Sequence, residues 1–237
     1  MCSESAGVAD DEREQAQHQA RREAVPFVLT AAVVLIALAV VSGWRGWELI
    51  DRDLWWVWLV LAVPEFLLAG ALFGGFGRIS DGERRKRMAE QLIGVVVAGS
   101  IVDLALLLVS LLAFGGSVTG AQLLFSAFAL LLTNVVAFAL AFWELDCGGP
   151  VLRALAGKRE RPDFQFPQDE NAELARPSWR PQLFDYAYVS LTNSVAFSPT
   201  DVMPLTRPAK VLMATESLLS FATVLVVGAR AINIIGS

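Results

Sequence analysis

Four ionisable residues stand inside long apolar stretches: Glu65, Asp103, Glu216 and Arg230. A charge in the hydrocarbon of a bilayer is costly, so each is a functional candidate. Glu65 follows Pro64 at mid-depth of one stretch, and Asp103 is near mid-depth of the next. On antiparallel neighbours the two carboxyls fall at similar depth. Facing carboxyls raise one pKa and share a proton, or coordinate a cation, the chemistry of a proton-coupled carrier. The plainer alternative has each carboxyl protonated, or bonded to Ser100, Thr133 or Asn134 on a neighbouring helix. Glu216 and Arg230 share one stretch but lie about 21 Å apart along a helix, too far to pair. Arg230 is near the end and can snorkel. Glu216 needs a partner on another segment, a hydroxyl or backbone N–H of the apolar run that precedes it.

The elements that position these groups follow from composition. The chain has 237 residues, 55% hydrophobic and 18% charged, whereas soluble domains carry about 25% charged residues. An all-α, polytopic membrane bundle is expected. Five stretches near the roughly 20 residues of a crossing run over 26–44, 54–76, 92–114, 121–143 and 209–235, and backbone pairing in lipid makes them helices. Trp44, Trp47, Trp55, Trp56 and Trp58 crowd the first connection at the headgroup level. Gly70 and Gly74 form a GxxxG pattern that permits close helix approach. Residues 1–25 are a polar tail, a frayed amphipathic helix or disorder, and residues 26–120 form a three-helix membrane region. The connection 77–91 carries Arg78, Arg84, Arg85, Lys86 and Arg87; by the positive-inside rule it is cytoplasmic and so is the N-terminus. The expected location is the cell membrane, multi-pass.

Several classes are excluded. Cys2 and Cys147 supply neither a zinc site nor a disulfide framework, and the single His18 lies in the charged tail. No nucleophile–base pair, HExxH or phosphate loop is present, so no enzyme, catalytic residue, metal or cofactor is expected. No basic stripe with interleaved aromatics points to nucleic acid. The acidic tail before the first stretch is unlike a cleavable signal peptide, which makes that stretch a signal anchor.

A half-length apolar run, 183–197, sits between the fourth and fifth stretches. It follows a loop, 145–182, whose Pro150, Pro162, Pro167, Pro177 and Pro181 argue against a packed domain. After it, Ser198, Pro199 and Asp201 read as a helix start with Ser at the N-cap and Pro at N1. The structural reading of this run is a helix lying on the membrane surface; the other is a re-entrant segment.

The stretch FDYAYVSLTNSVAFSPTDVMPLTRPAKVLMATESLLSFATVLVVGAR, Phe184 to Arg230, resembles the pore region of two-span potassium channels. The resemblance covers about a fifth of the chain. It makes 121–237 a channel-like region, with outer helix 121–143, pore-like helix 183–197 and inner helix 209–235. It aligns Asp201 with the acid after the filter and Glu216 with the inner-helix acid. The TVGYG filter falls on Ala196, Phe197, Ser198, Pro199 and Thr200. Both filter glycines are replaced, and Pro199 locks φ and removes an N–H, so a potassium-type carbonyl filter is not expected. Ser194, Ser198, Thr200 and Asp201 would line a side-chain constriction, a degenerate filter, for monovalent ions. The whole chain is also similar to uncharacterised bacterial integral membrane proteins that share the WELD-x-GGP and AFSPTD runs.

The resulting expectation is a channel-like membrane protein in a lipid bilayer, conducting as a homotetramer. The alternatives are a non-conducting membrane scaffold and a proton-coupled carrier using Glu65 and Asp103. A channel requires a polar stripe on the last stretch, for which Ser217, Ser220, Thr223 and Arg230 are the candidates.

Overall fold

The computed structural model describes residues 2–45, 82–114, 120–156, 162–171, 173, 175–176, 179–196 and 201–235. The described chain is mostly helical. In order it forms α1 (Cys2–Arg45), α2 (Gly82–Phe114), α3 (Gly120–Leu145), α4 (Pro150–Leu155), β1 (Phe164–Gln165), α5 (Pro167–Glu170), α6 (Leu183–Ala196), β2 (Met203–Pro204) and α7 (Arg207–Ile235). Among the described residues three helices are long and apolar enough to cross a membrane, over Glu14–Val41, Leu123–Gly148 and Arg207–Arg230, which is compatible with an integral membrane protein. The expected second crossing, 54–76, lies outside the described residues, with Glu65, Gly70, Gly74, Trp47, Trp55, Trp56 and Trp58. The expected third falls in α2, whose apolar part among the described residues is Ile93–Leu106.

Two expected boundaries move. The tail 2–25 continues as helix into the first crossing without a break, because its Ala, Glu, Gln and Arg are strong helix formers. Pro26 sits inside this helix, and Thr30 Oγ1 donates to the Pro26 carbonyl at 2.7 Å. Residues 82–91 of the basic connection are likewise the first turns of α2, again a run of helix formers.

α3 is the hub. It packs against α1, α2, α6 and α7. Of its most apolar 18-residue window 61% is buried within the chain, against 33% for α1 and 22% for α7. Phe138, Phe142 and Trp143 of α3 form the core with Phe164, Phe166, Leu183 and Tyr186. Burial of aromatics on this scale dominates packing energetics, with a tilted contact between Phe142 and Phe164 and an edge contact between Phe164 and Tyr186 at centroid distances of 5.2 and 6.1 Å.

The proline-bearing loop is therefore not wholly unpacked. Phe164 and Phe166 alternate inward with an exposed Pro167 beyond them, the period of a strand, and β1 pairs antiparallel with β2 in the register Phe164 to Pro204 and Gln165 to Met203. This pairing also removes the helix start expected at Ser198 to Asp201: Asp201 lies in a bend and Met203–Pro204 is strand. The last helix is instead capped by Thr206, whose carbonyl accepts Lys210 N–H at 3.1 Å and whose Oγ1 accepts Ala209 N–H at 3.5 Å.

Candidate functional site

α6 is short, 14 residues, about 21 Å at the helical rise, and cannot cross a bilayer. Its buried face carries polar groups beside the apolar Leu183, Tyr186 and Val189, and its outward face is apolar as well. Ser190, Asn193 and Ser194 are buried, while Phe184, Tyr188, Leu191 and Val195 form an exposed stripe, with Phe184 71% exposed. The stripe recurs every three or four residues, one face of a helix. A surface of that kind fits lipid rather than solvent.

The buried face meets α7. Glu216 is 0% exposed. Its Oε2 accepts Asn193 Nδ2–H at 2.6 Å, and its Oε1 accepts the Ser194 hydroxyl at 3.0 Å and is also hydrogen-bonded to Ser190 Oγ. Asn193 Nδ2 also donates to Met213 O at 2.9 Å, and Ser217 Oγ donates to Asn193 Oδ1 at 2.9 Å. The serine and asparagine recur at i, i+3 and i+4, so all three reach one carboxyl from a single face. Ser190 Oγ is also 2.9 Å from the Val135 carbonyl of α3. One hydroxyl hydrogen cannot serve both the carbonyl and Glu216. The count closes when the Glu216 carboxyl carries a hydrogen and donates it to Ser190. The requirement that Glu216 find a hydroxyl on the preceding run is thus met by two.

A second junction closes the end of α3. Asp146, also 0% exposed, accepts Asp163 N–H at 2.7 Å and Phe164 N–H at 3.3 Å on Oδ1, and the Tyr186 hydroxyl at 2.5 Å on Oδ2. Arg153 Nη1 donates to Trp143 O at 2.7 Å and to Asp146 O at 2.6 Å, satisfying carbonyls that the helix terminus leaves open. Its guanidinium lies 5.2 Å from the Tyr186 ring centroid. Cys147, Gly148 and Gly149 all have positive φ, at 53°, 75° and 98°. This is the backbone reversal that turns the chain from α3 into α4, and glycine is the residue that tolerates it. The conspicuous run from Trp143 to Pro150 is therefore a helix terminus with its own cap. Asp163 completes the junction by accepting Thr206 Oγ1–H at 2.5 Å and Cys147 N–H at 3.2 Å.

The remaining predicted residues separate. Ser194 faces Glu216 within the chain. Ala196 ends α6, exposed, while Phe197, Ser198, Pro199 and Thr200 lie outside the described residues. Asp201 is exposed, and Tyr188 Oη donates to its Oδ2 at 3.4 Å. Asp103 is on α2, with its side chain outside the description. Thr133 donates to carbonyls of its own helix at Ala129 and Leu130, and Asn134 Nδ2 donates to Ser220 Oγ at 3.2 Å, so the described partners of these two are not the acids. Arg230 is half-buried at the end of the α7 apolar stretch. Among the described residues no three His, Cys, Asp or Glu side chains gather to hold a metal. Sequence reasoning passed over Asp146, Arg153 and Tyr186; the available signal was Asp146 and Tyr186, each inside a stretch already singled out by resemblance. No protein-family model, curated protein or solved structure matches the chain.

Proposed function

We propose that this is a five-span protein of the cell membrane, N-terminus cytoplasmic, whose channel-like C-terminal unit serves as a non-conducting scaffold. One observation carries the reading: the serines of α7 turn into the chain, and its threonines, Thr215 and Thr223, bond carbonyls of their own helix. Ser217 donates to Asn193, Ser220 accepts from Asn134, and Thr223 donates to Leu219 O of its own helix. The face left outward presents Val211, Leu218, Phe221, Val224 and Leu225, with Leu218 69% exposed. An apolar face suits lipid or another helix and offers no side chains to replace an ion's hydration. Glu216 fits the same role, because its hydrogen bonds hold α6 against α7.

The second reading, ion conduction by a homotetramer, is favoured by the wedging of a half-length helix between α3 and α7, with its end leading to exposed Asp201. Cation flux into liposomes carrying the purified protein separates the two. The scaffold reading expects flux equal to protein-free liposomes. Flux that falls in Thr200→Val and Asp201→Asn overturns it in favour of conduction, and a tetrameric mass in native mass spectrometry would accompany that result.

A further inference from the structure

A cavity of about 660 Å³ opens where α1, α3, α4 and the loop before α6 converge, and an apolar groove of about 320 Å³ runs between α1, α3 and α6. Phe184 lines both, so they adjoin. Both volumes fall within or near the roughly 300–1,000 Å³ of small-molecule sites.

The three helices that form the walls change character in the same direction. On α1 the wall passes from Gln19 and Glu23 at the cavity to Pro26 and Phe27 at the groove. On α3 it passes from Trp143 to Val136 and Leu132, against the chain direction. On α6 it passes from Asp185 to Tyr188 and Leu191. A polar chamber adjoining an apolar groove, with half-buried Trp179 on its border, has the profile of the membrane interface, where tryptophan concentrates.

The chamber also has unmet polar capacity. Arg153 and Gln168 line it, and Arg153 Nη2 and Gln168 Oε1 are buried without hydrogen-bond partners among the described residues. Arg153 is only 6% exposed. Its charge joins those of Arg176 and Arg180, opposed by Glu23 and Asp185. Those acids already serve the start of α6: Glu23 accepts Leu183 N–H at 3.2 Å and Asp185 accepts Gln182 N–H at 2.7 Å. Arginine in excess at such a site suits a phosphate.

We infer that cavity and groove together hold one anionic phospholipid, its phosphate beside Arg153 and Arg176 and one acyl chain along the groove of α1, α3 and α6. The inference rests on the membrane placement of the proposed function, and not on whether the protein conducts.

The test is native mass spectrometry of the full chain in mild detergent, titrated with phosphatidylglycerol or with phosphatidylcholine of identical chains. Phosphatidylglycerol is expected to be retained about fivefold better, the effect of roughly one effective arginine at the surface. Arg176→Ala, at an exposed position, should bring the two lipids near parity. Ala187→Trp or Thr30→Trp, each filling the groove, should lower retention of both. Equal retention of the two lipids by the parent protein overturns the inference. So does indifference to Arg176→Ala or to both groove variants, or binding of chain-free glycerophosphoglycerol as tight as that of the lipid. A protein that conducts yet selects phosphatidylglycerol refutes the scaffold reading alone; one without flux and indifferent to headgroup refutes this inference alone.

Discussion

The Glu216 junction joins side chain to side chain across two helices, whereas the Asp146 junction joins one side chain to main-chain N–H groups and a phenol at the rim of α3. The groups around Glu216 keep second partners: Ser190 has the Val135 carbonyl and Asn193 has the Met213 carbonyl. Asp146 instead holds a chain reversal, two successive N–H groups of the loop and Tyr186 with one carboxylate. Loss of Glu216 leaves Ser190 and Asn193 with main-chain acceptors, whereas loss of Asp146 removes one acceptor from three donors at once. In this protein the polar residue that stands out in an apolar span is the more replaceable one.

The largest effect should follow removal of Asp146. Asp146→Ala removes the acceptor shared by the Asp163 and Phe164 N–H groups and the Tyr186 hydroxyl, and the expected loss is about 3–5 kcal/mol, read as a large fall in thermal transition temperature in detergent or as failure to accumulate folded protein. Glu216→Ala should cost less, about 2 kcal/mol, because interhelical hydrogen bonds in membranes average about 0.6 kcal/mol each. Glu216→Gln should cost under about 1 kcal/mol, since an amide donates to Ser190 and accepts from Asn193 as the hydrogen-bearing carboxyl does. If Glu216→Ala proves the more damaging, or if Gln is no better tolerated than Ala, the contrast between the junctions fails.

Tyr186→Phe sharpens the same contrast. It keeps the buried ring and its contacts with Phe164 and Arg153 while deleting one hydrogen bond to Asp146. The expected loss is about 1.5 kcal/mol, typical of a hydrogen bond to a charged group. In the double variant with Asp146→Ala the Tyr186 effect should largely vanish, because a double-mutant cycle isolates the pairwise contribution. Additive losses would mean that the hydroxyl acts elsewhere.

The difference between the junctions also explains what could be read without coordinates. Glu216 is legible because an acid deep in an apolar stretch violates hydropathy, and its need for a hydroxyl partner follows from the cost of burying it. Helix α6 is legible for a related reason, as an apolar run too short to cross. Asp146 is not legible: an acid just past a tryptophan at the end of an apolar stretch is where acids ordinarily meet water. Its burial depends on Phe164 and Phe166 folding back over α3, a contact made by residues 18 or more positions away. Proline density concealed this, since prolines mark turns but say nothing about an intervening pair of inward aromatics. The helix start expected at Ser198 is overturned for a similar reason, while the last stretch begins near 209 as its apolar pattern requires. Ser198 and Pro199 have the chemistry of a cap, but Asp201, the expected N3 residue, lies in a bend and Met203 and Pro204 pair with β1, so Thr206 caps α7.

The smallest expected effect tests a carboxyl outside both junctions. Asp185 lies at the start of α6, outside the three candidate spans, on the wall of the cavity that also holds Glu23, Arg153, Arg176 and Arg180. Burial raises its pKa above the ordinary 3.8, only partly offset by the backbone N–H groups it accepts. A carboxyl with a raised folded-state pKa binds a proton more readily in the folded chain than in the unfolded one. Stability contributed by this residue is therefore greatest at low pH and is lost as pH climbs above 3.8 toward the raised folded value. Asp185→Asn should flatten that part of the pH profile, at a gain of no more than about 0.5 kcal/mol near neutrality, because a half-exposed group is largely screened by solvent. A cap lost along with the charge would act in the opposite sense and at every pH, since the amide oxygen must still accept Gln182 N–H. The pH dependence of the thermal transition, compared between the parent and Asp185→Asn, separates the two: a difference that grows with pH marks the buried charge, and a constant offset marks the cap.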